Sequence, residues 1–242
     1  MKKRILNSIK MIAMLVFAVF LYAFSSSRSA NRKIQAVQMN FDTSTNLLVS
    51  RPDILKEVNH FIAAKKTKIG AIDNKVIARI ENKLLENKLV AEATAFIALD
   101  DTLHIVVKQK KPIARIVGSS NYYLDINGKK MPLSKNYTQR VPLVYGSFTV
   151  DELIALKQLI KSINANAFLK KQLVAIYKKK NNSYEFEGRL GSQRVIFGTL
   201  AHKEKKLKKL ELFYKDSWSK KRLNKYKTIN LKYHNQIVCT KI

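Results

Sequence analysis

The sequence predicts an α+β protein with a single N-terminal transmembrane helix, a small α/β domain, and then a mainly β domain with flanking helices. Three observations lead there. Met11–Phe24 is uninterrupted apolar or aromatic sequence, residues 72–89 repeat apolar side chains at helical spacing, and most of the chain from residue 90 onward reads as short β-rich runs divided by turn signals.

The N-terminal run follows a basic segment, MKKRILNSIK. With Ile9 and the flanking serines it approaches the roughly 17–25 residues of a spanning helix. Lys2, Lys3, Arg4 and Lys10 favour a cytoplasmic tail over residues 1–10, an anchor over 11–27, and an extracytoplasmic location for everything after about residue 28. A cleavable signal peptide is the alternative. The run is longer than many signal-peptide cores and SSSRSANRK has no clean Ala-x-Ala site, so a retained anchor in the inner membrane is expected.

The small α/β domain begins with a strand pattern in KIQAVQMNFD, around Ile34, Val37, Met39 and Phe41. RPDILKEVNHFI then reads as a short helix with Ile54, Leu55, Val58 and Ile62 near one face and Pro52 in the first turn. In IDNKVIARIENKLLENKL, Asp73 is the expected N-cap and Ile72 and Ile77 a hydrophobic staple. Val76, Ile80 and Leu84 recur every four residues, widened by Ile77 and Leu85, which marks a one-sided surface helix. VAEATAFIAL and TLHIVVKQKKPIARIV are the next two strand candidates, divided by an Asp100-Asp101 turn. No glycine-rich loop, carboxylate pair or nucleophile motif interrupts these elements, so they suit docking better than catalysis.

YYLDINGKKMPLS, residues 122–134, has three readings: an active-site loop, a metal loop or a hairpin. Tyr123, Leu124 and Ile126 have strand character, and Asn127-Gly128 suits a type I′ turn. Pro132 restricts the returning arm to an edge or an end. An EF-hand needs Gly at its sixth place and Glu at its twelfth, whereas Gly128 is fourth from Asp125. Asp125 also lacks a second polar group to hold it as a general base, so the hairpin is the better reading.

YYLDINGKKMPLSKNYTQRVPLVYG resembles the start of the β domain of the FtsQ/DivIB cell-division proteins, especially Bacteroidota-type members. The preceding LHIVVKQKKPIARI resembles the passage from that family's POTRA domain into its β domain. The pattern is carried by Val107, Lys110, Pro112, Ile113, Ala114, Tyr123, Leu124, Asp125, Gly128, Pro132, Leu133, Arg140, Val141 and Pro142, in that order. The resemblance implies a POTRA-like domain over 34–108 and an FtsQ-like β domain over 109–242 that includes the C-terminal strands.

In the distal half, Thr149 and Glu152 have capping-box spacing, followed by a stripe of Leu153, Leu156, Ile160 and Ile163. NAFLKKQLVAIY reads as a short helix entering a strand, and SYEFEGRLGSQRVIFG as two strands around Gly191. HKEKKLKKLELFYKDSWSKKRL is lysine-rich, yet Leu207, Leu210, Tyr214 and Trp218 share one helical face. YKTINLKYHNQIVCTKI reads as a final hairpin turning at His234-Asn235. The resemblance implies that a late strand docks FtsB-like and FtsL-like single-pass partners, with the FtsB-like chain extending the sheet. The corresponding candidates are Thr228, Ile229, Asn230, Leu231, Lys232 and Tyr233.

Lys and Arg number 46 against 17 Asp and Glu, a formal charge of +29. Outside the cytoplasm such a charge suits anionic lipid, wall polymer or an acidic protein surface, and nucleic acid is not expected. One cysteine, Cys239, and four scattered histidines (His60, His104, His202, His234) give neither a disulfide nor a metal set, and no cofactor is expected. The leading expectation is a non-enzymatic division scaffold at the septum that links these partners to septal peptidoglycan synthesis. The alternatives are a membrane-anchored polyanion or cell-wall binding protein, and a POTRA-type transport or assembly factor.

Overall fold

The computed structural model describes residues 2–30, 36–42, 47–64, 74–100, 102–219 and 223–242. The chain divides into two compact units, Met1–Gln109 and Lys110–Ile242.

The first unit begins with helix α1 (Lys2–Ala30). From Met11 to Phe24 its large apolar side chains are exposed, but the uninterrupted run is 14 residues. At 1.5 Å per residue that is about 21 Å, short of a hydrocarbon core of about 30 Å. Among the described residues no helix is long and apolar enough to cross a membrane. This overturns the transmembrane anchor over 11–27, together with the single-pass topology and inner-membrane location drawn from it.

Strand β1 (Ala36–Phe41), helices α2 (Arg51–Ala64) and α3 (Asn74–Leu85), and strands β2 (Val90–Ile97) and β3 (Thr102–Gln109) complete the unit. The sheet order is β1-β3-β2, with β1 parallel and β2 antiparallel to the central strand. Being central, β3 is the most deeply buried strand: Leu103, Ile105 and Val107 meet Ile54 and Val58 of α2 and Ile80 and Leu84 of α3 in one core. The helical stripes are narrower than their patterns suggest, since Leu55 and Leu85 are exposed. Glu81 of α3 ties the helix to the sheet by accepting the Ala95 N–H at 2.8 Å. Asp100 accepts the Thr102 N–H to shape the β2–β3 turn. The proposed Asp73 cap and Ile72 staple, Ile34, Asp101 and the side chains of Ile62 and Trp218 lie outside the described residues.

The run TLHIVVKQKKPIARIV forms two strands in different sheets, not one. β3 ends at Gln109, and β4 (Pro112–Val117) opens the second unit. Pro112 lacks the N–H a continuing strand needs and therefore sits at a strand start.

The second unit is a nine-stranded mixed sheet in the order β12-β11-β10-β9-β8-β7-β4-β5-β6. Its strands are β4, β5 (Tyr122–Asp125), β6 (Lys130–Met131), β7 (Leu143–Tyr145), β8 (Leu173–Lys178), β9 (Tyr184–Gly188), β10 (Arg194–Gly198), β11 (Tyr226–Asn230) and β12 (Val238–Lys241). Helices α4 (Val150–Ala165), α5 (Ala167–Gln172) and α6 (Lys203–Ser219) bury Leu156, Ile160, Leu169, Leu207, Leu210 and Tyr214 in a core shared with Ile116, Leu124, Ile176, Phe186 and Phe197 of the sheet. α4 has the capping box its sequence predicts: Thr149 Oγ1 accepts the Glu152 N–H, and Glu152 accepts the Thr149 N–H at 2.8 Å.

β5 and β6 form the hairpin of residues 122–134, but its turn is not the two-residue type I′ form. The Asp125 N–H donates to the Lys129 carbonyl, and the Gly128 N–H to the Asp125 carbonyl, enclosing three residues. Only Gly128, at φ +82°, is left-handed, and Asn127 keeps an ordinary φ. The Asp125 carboxylate decides this geometry, because it accepts the N–H groups of both Asn127 (2.9 Å) and Lys129 (2.7 Å). Asp125 is 1% exposed, so its oxygens serve the turn and not a substrate.

Glu211 on α6 lies between Lys215 (2.7 Å) and Lys208 (3.2 Å) and also bonds Asn166, the cap of α5. These donors pull its carboxyl down to about 2.

Asp125→Ala removes the buried acceptor of two turn N–H groups, those of Asn127 and Lys129, and should cost about 2 kcal/mol in urea-unfolding free energy. Glu211 titrates lower in the folded than in the unfolded chain. Its contribution is therefore complete above about 4.5 and lost as pH falls toward about 2. Glu211→Gln should flatten the dependence of melting temperature on pH across that window, read by circular dichroism.

Candidate partner-binding edge

The sheet ends at β12, which pairs with β11 on one side and no strand on the other among the described residues. The chain reaches this arrangement by two returns. α6 carries it from β10 to a parallel β11, with Val195 opposite Ile229, and a loop turns it back into the antiparallel β12. Ile229 faces the core and Cys239 lies opposite it, while the outward pair Thr228 and Thr240 share an Oγ1–Oγ1 hydrogen bond of 2.9 Å. Partial burial pushes the Cys239 thiol up, making it less reactive than a free cysteine.

The structure separates the six candidate residues. Thr228, Ile229 and Asn230 belong to β11, an inner strand whose backbone edges both face neighbours. Leu231 is past the strand end, fully buried in the sheet–helix core, and its N–H donates to the Ile196 carbonyl at 2.9 Å. Lys232 and Tyr233 are exposed in the following loop. The free edge therefore lies one strand further on, at Val238–Lys241.

The final hairpin also turns differently from the His234-Asn235 tight turn its sequence suggests. β11 stops at Asn230, whose Oδ1 accepts the Lys232 N–H, and residues 231–237 form the connection. Lys209, on α6, closes that loop: its ammonium donates to the carbonyls of Tyr233 (2.7 Å), His234 (3.2 Å) and Gln236 (3.4 Å). Its partner carbonyls are 24 to 27 positions away, so periodicity carries no sign of the contact.

The histidines are not all scattered. His60 is exposed and His104 stacks on Phe96 at 5.1 Å, but the rings of His202 and His234 approach to 5.7 Å. Among the described residues no three His, Cys, Asp or Glu side chains are grouped to hold a metal ion.

Residues 111–240, more than half of the chain, match the family described as FtsQ/DivIB, C-terminal related. The chain belongs to that family. A solved structure of the major extracytoplasmic domain of the cell-division protein DivIB from Geobacillus stearothermophilus, its trans isomer, is similar at 15% identity with a TM-score of 0.34, covering 47% of this chain and 96% of that one. No curated protein matches. FtsQ/DivIB proteins are non-enzymatic scaffolds associated with divisome partners, and this protein has a non-enzymatic role related to cell division.

Burial distinguishes the candidates. Leu231→Ala should cost about 3 kcal/mol in denaturant unfolding, while Tyr233→Glu should shift stability by no more than about 0.5 kcal/mol.

Proposed function

We propose that this protein is a divisome scaffold of the Bacteroidota-type branch of its family, holding FtsB-like and FtsL-like division proteins and linking them to septal peptidoglycan synthesis. The observation that carries the reading is the outer edge of β12, which no strand among the described residues pairs, next to a loop that exposes Lys232 and Tyr233. An open antiparallel strand presents N–H and C=O groups that an extended FtsB-like segment satisfies by adding a strand. Side chains beside the edge then supply selectivity, with Val238 and Thr240 exposed on β12 itself.

In this reading Thr228, Ile229 and Asn230 act as the inner strand that holds the edge flat, and Leu231 anchors it to the core. Lys232 and Tyr233 remain the members of the original set that can meet a partner directly. Residues 34–108 act as a POTRA-like recruitment domain and residues 109–242 as the FtsQ-like β domain. The net charge of +29 accelerates encounter with acidic surfaces, while strand pairing and shape determine which partner stays.

The test is crosslinking of the tagged full chain in dividing cells, followed by mass spectrometry. Val238→Asp with Thr240→Asp should leave folding intact and reduce recovery of FtsB-like and FtsL-like proteins by about tenfold or more. Unchanged recovery with a folded double variant removes the β12 edge from the interface. Absence of these proteins from the unsubstituted sample removes the scaffold reading itself.

A further inference from the structure

Behind the 231–237 loop lies a cavity of about 550 Å³ that the β12 edge does not use. Its wall includes Lys205, Lys206, Lys209, Lys232, His202 and His234, and among the described residues no carboxylate lines it. In a chain with 46 Lys and Arg an exposed lysine is unremarkable, but this group differs in two respects.

The first is Lys206. It is 8% exposed, and its ammonium donates to the Thr199 carbonyl at 2.9 Å and lies 5.2 Å from the centre of the Phe197 ring. Among the described residues no carboxylate pairs with it. Burial, reinforced by Lys209, pushes its pKa down, which is the mark of a cation held without a counter-charge. The second is that the acid nearest in sequence points elsewhere: Glu204, in the first turn of α6, accepts from Ser162 of α4 at 2.7 Å.

Backbone geometry keeps the cavity open. His202 is left-handed at φ +54° and directs the chain into α6. Gly198 is at φ +75°, and a Cβ there would lie 3.1 Å from Lys232 Cγ. Lys209 donates to three loop carbonyls and so fixes the wall, leaving Lys205, Lys206 and Lys232 with donors to offer a ligand.

We propose that this cavity binds a phosphate-bearing ligand. Three ammonium groups, two on α6 and one on the loop after β11, suit the several oxygens of a phosphate. A planar carboxylate is better matched by an arginine fork, and among the described residues no arginine lines the site. The volume exceeds the need of one phosphate and leaves room for a second phosphate or an attached organic body. The site shares Lys232 and Tyr233 with the proposed partner surface but not the β12 strand itself, and it does not rest on the divisome reading.

Calorimetric titration of the full chain with inorganic pyrophosphate, at constant ionic strength, tests this. Binding should saturate and should move the imidazole NMR signals of His202 and His234. Lys205→Gln and Lys232→Gln, both at exposed positions that leave the core untouched, should each weaken it roughly tenfold, the loss of one charge-assisted hydrogen bond. Lys88→Gln, on the first unit, should leave it unchanged, as should Val238→Asp. Titration with long-chain polyphosphate separates the sources: tighter binding per chain than pyrophosphate assigns the site to a polymer, and equal or weaker binding to a small phosphate ester. Lack of saturation, equal loss in the Lys88 variant, or equally tight binding of a poly-glutamate peptide would overturn the proposal.

Discussion

The second unit depends on the packing of α6 across two parallel strands. Parallel neighbours cannot be joined by a tight turn, so the chain leaving β10 must travel back along its own strand before β11 can form. α6 provides that return, and Leu207, Leu210 and Tyr214 bury its inner face on the sheet. At roughly 1.5–3 kcal/mol for each buried large side chain, these three contacts outweigh the cost of confining so basic a helix, whose lysines stay solvated on the other side. Without this crossover β11 has no neighbour, β12 has no strand to pair with, and the loop between them has nothing to close against.

The same helix ties the edge and the cavity together. Lys209 projects from α6 onto three carbonyls of the loop, while Lys205 and Lys206, one turn earlier, face the space beneath it. A helix with lysine on most of its outer positions would resist docking on any surface that carried its own positive charge. Here repulsion is relieved by carbonyl oxygens, by the Glu211 carboxylate between Lys208 and Lys215, and by solvent. Lys206 has only one of these remedies, a single carbonyl, and that residual imbalance is what makes the cavity electrostatically distinct from the rest of a basic surface.

Local patterns disclosed what local physics decides. The Thr149 and Glu152 pair caps α4 because both partners lie within one turn, and Leu153, Leu156, Ile160 and Ile163 are buried at the spacing their order implies. The hairpin at 122–134 was legible, but its turn type was not: Asn127-Gly128 favours one geometry, and the buried Asp125 carboxylate selects another by accepting two N–H groups. The apolar run at Met11–Phe24 suggested a span because composition alone counts flanking serines as permissive, whereas the uninterrupted apolar stretch within α1 is too short to cross. β3 and β4 looked continuous because both are β-rich, and only Lys110-Lys111 and the missing N–H of Pro112 mark where one sheet gives way to another.

The edge and the cavity were hidden for a different reason. In YKTINLKY, Ile229 and Leu231 are buried in the core but Tyr233, two residues further on, is exposed, and periodicity cannot say how many strands follow or which one is left unpaired. That is fixed by where β12 turns back, and the turn is held by Lys209 on a distant helix. His202 and His234 likewise meet only because the register of β10 with β11 brings the end of one strand beside the end of the other. Sequence order therefore locates the segments of this region well, while the surfaces they present are properties of the crossover. A substitution on the buried face of α6 should consequently disturb both surfaces together, whereas one on β12 or at Lys205 acts on a single surface, and that asymmetry is the physical basis for treating the edge and the cavity as separate sites.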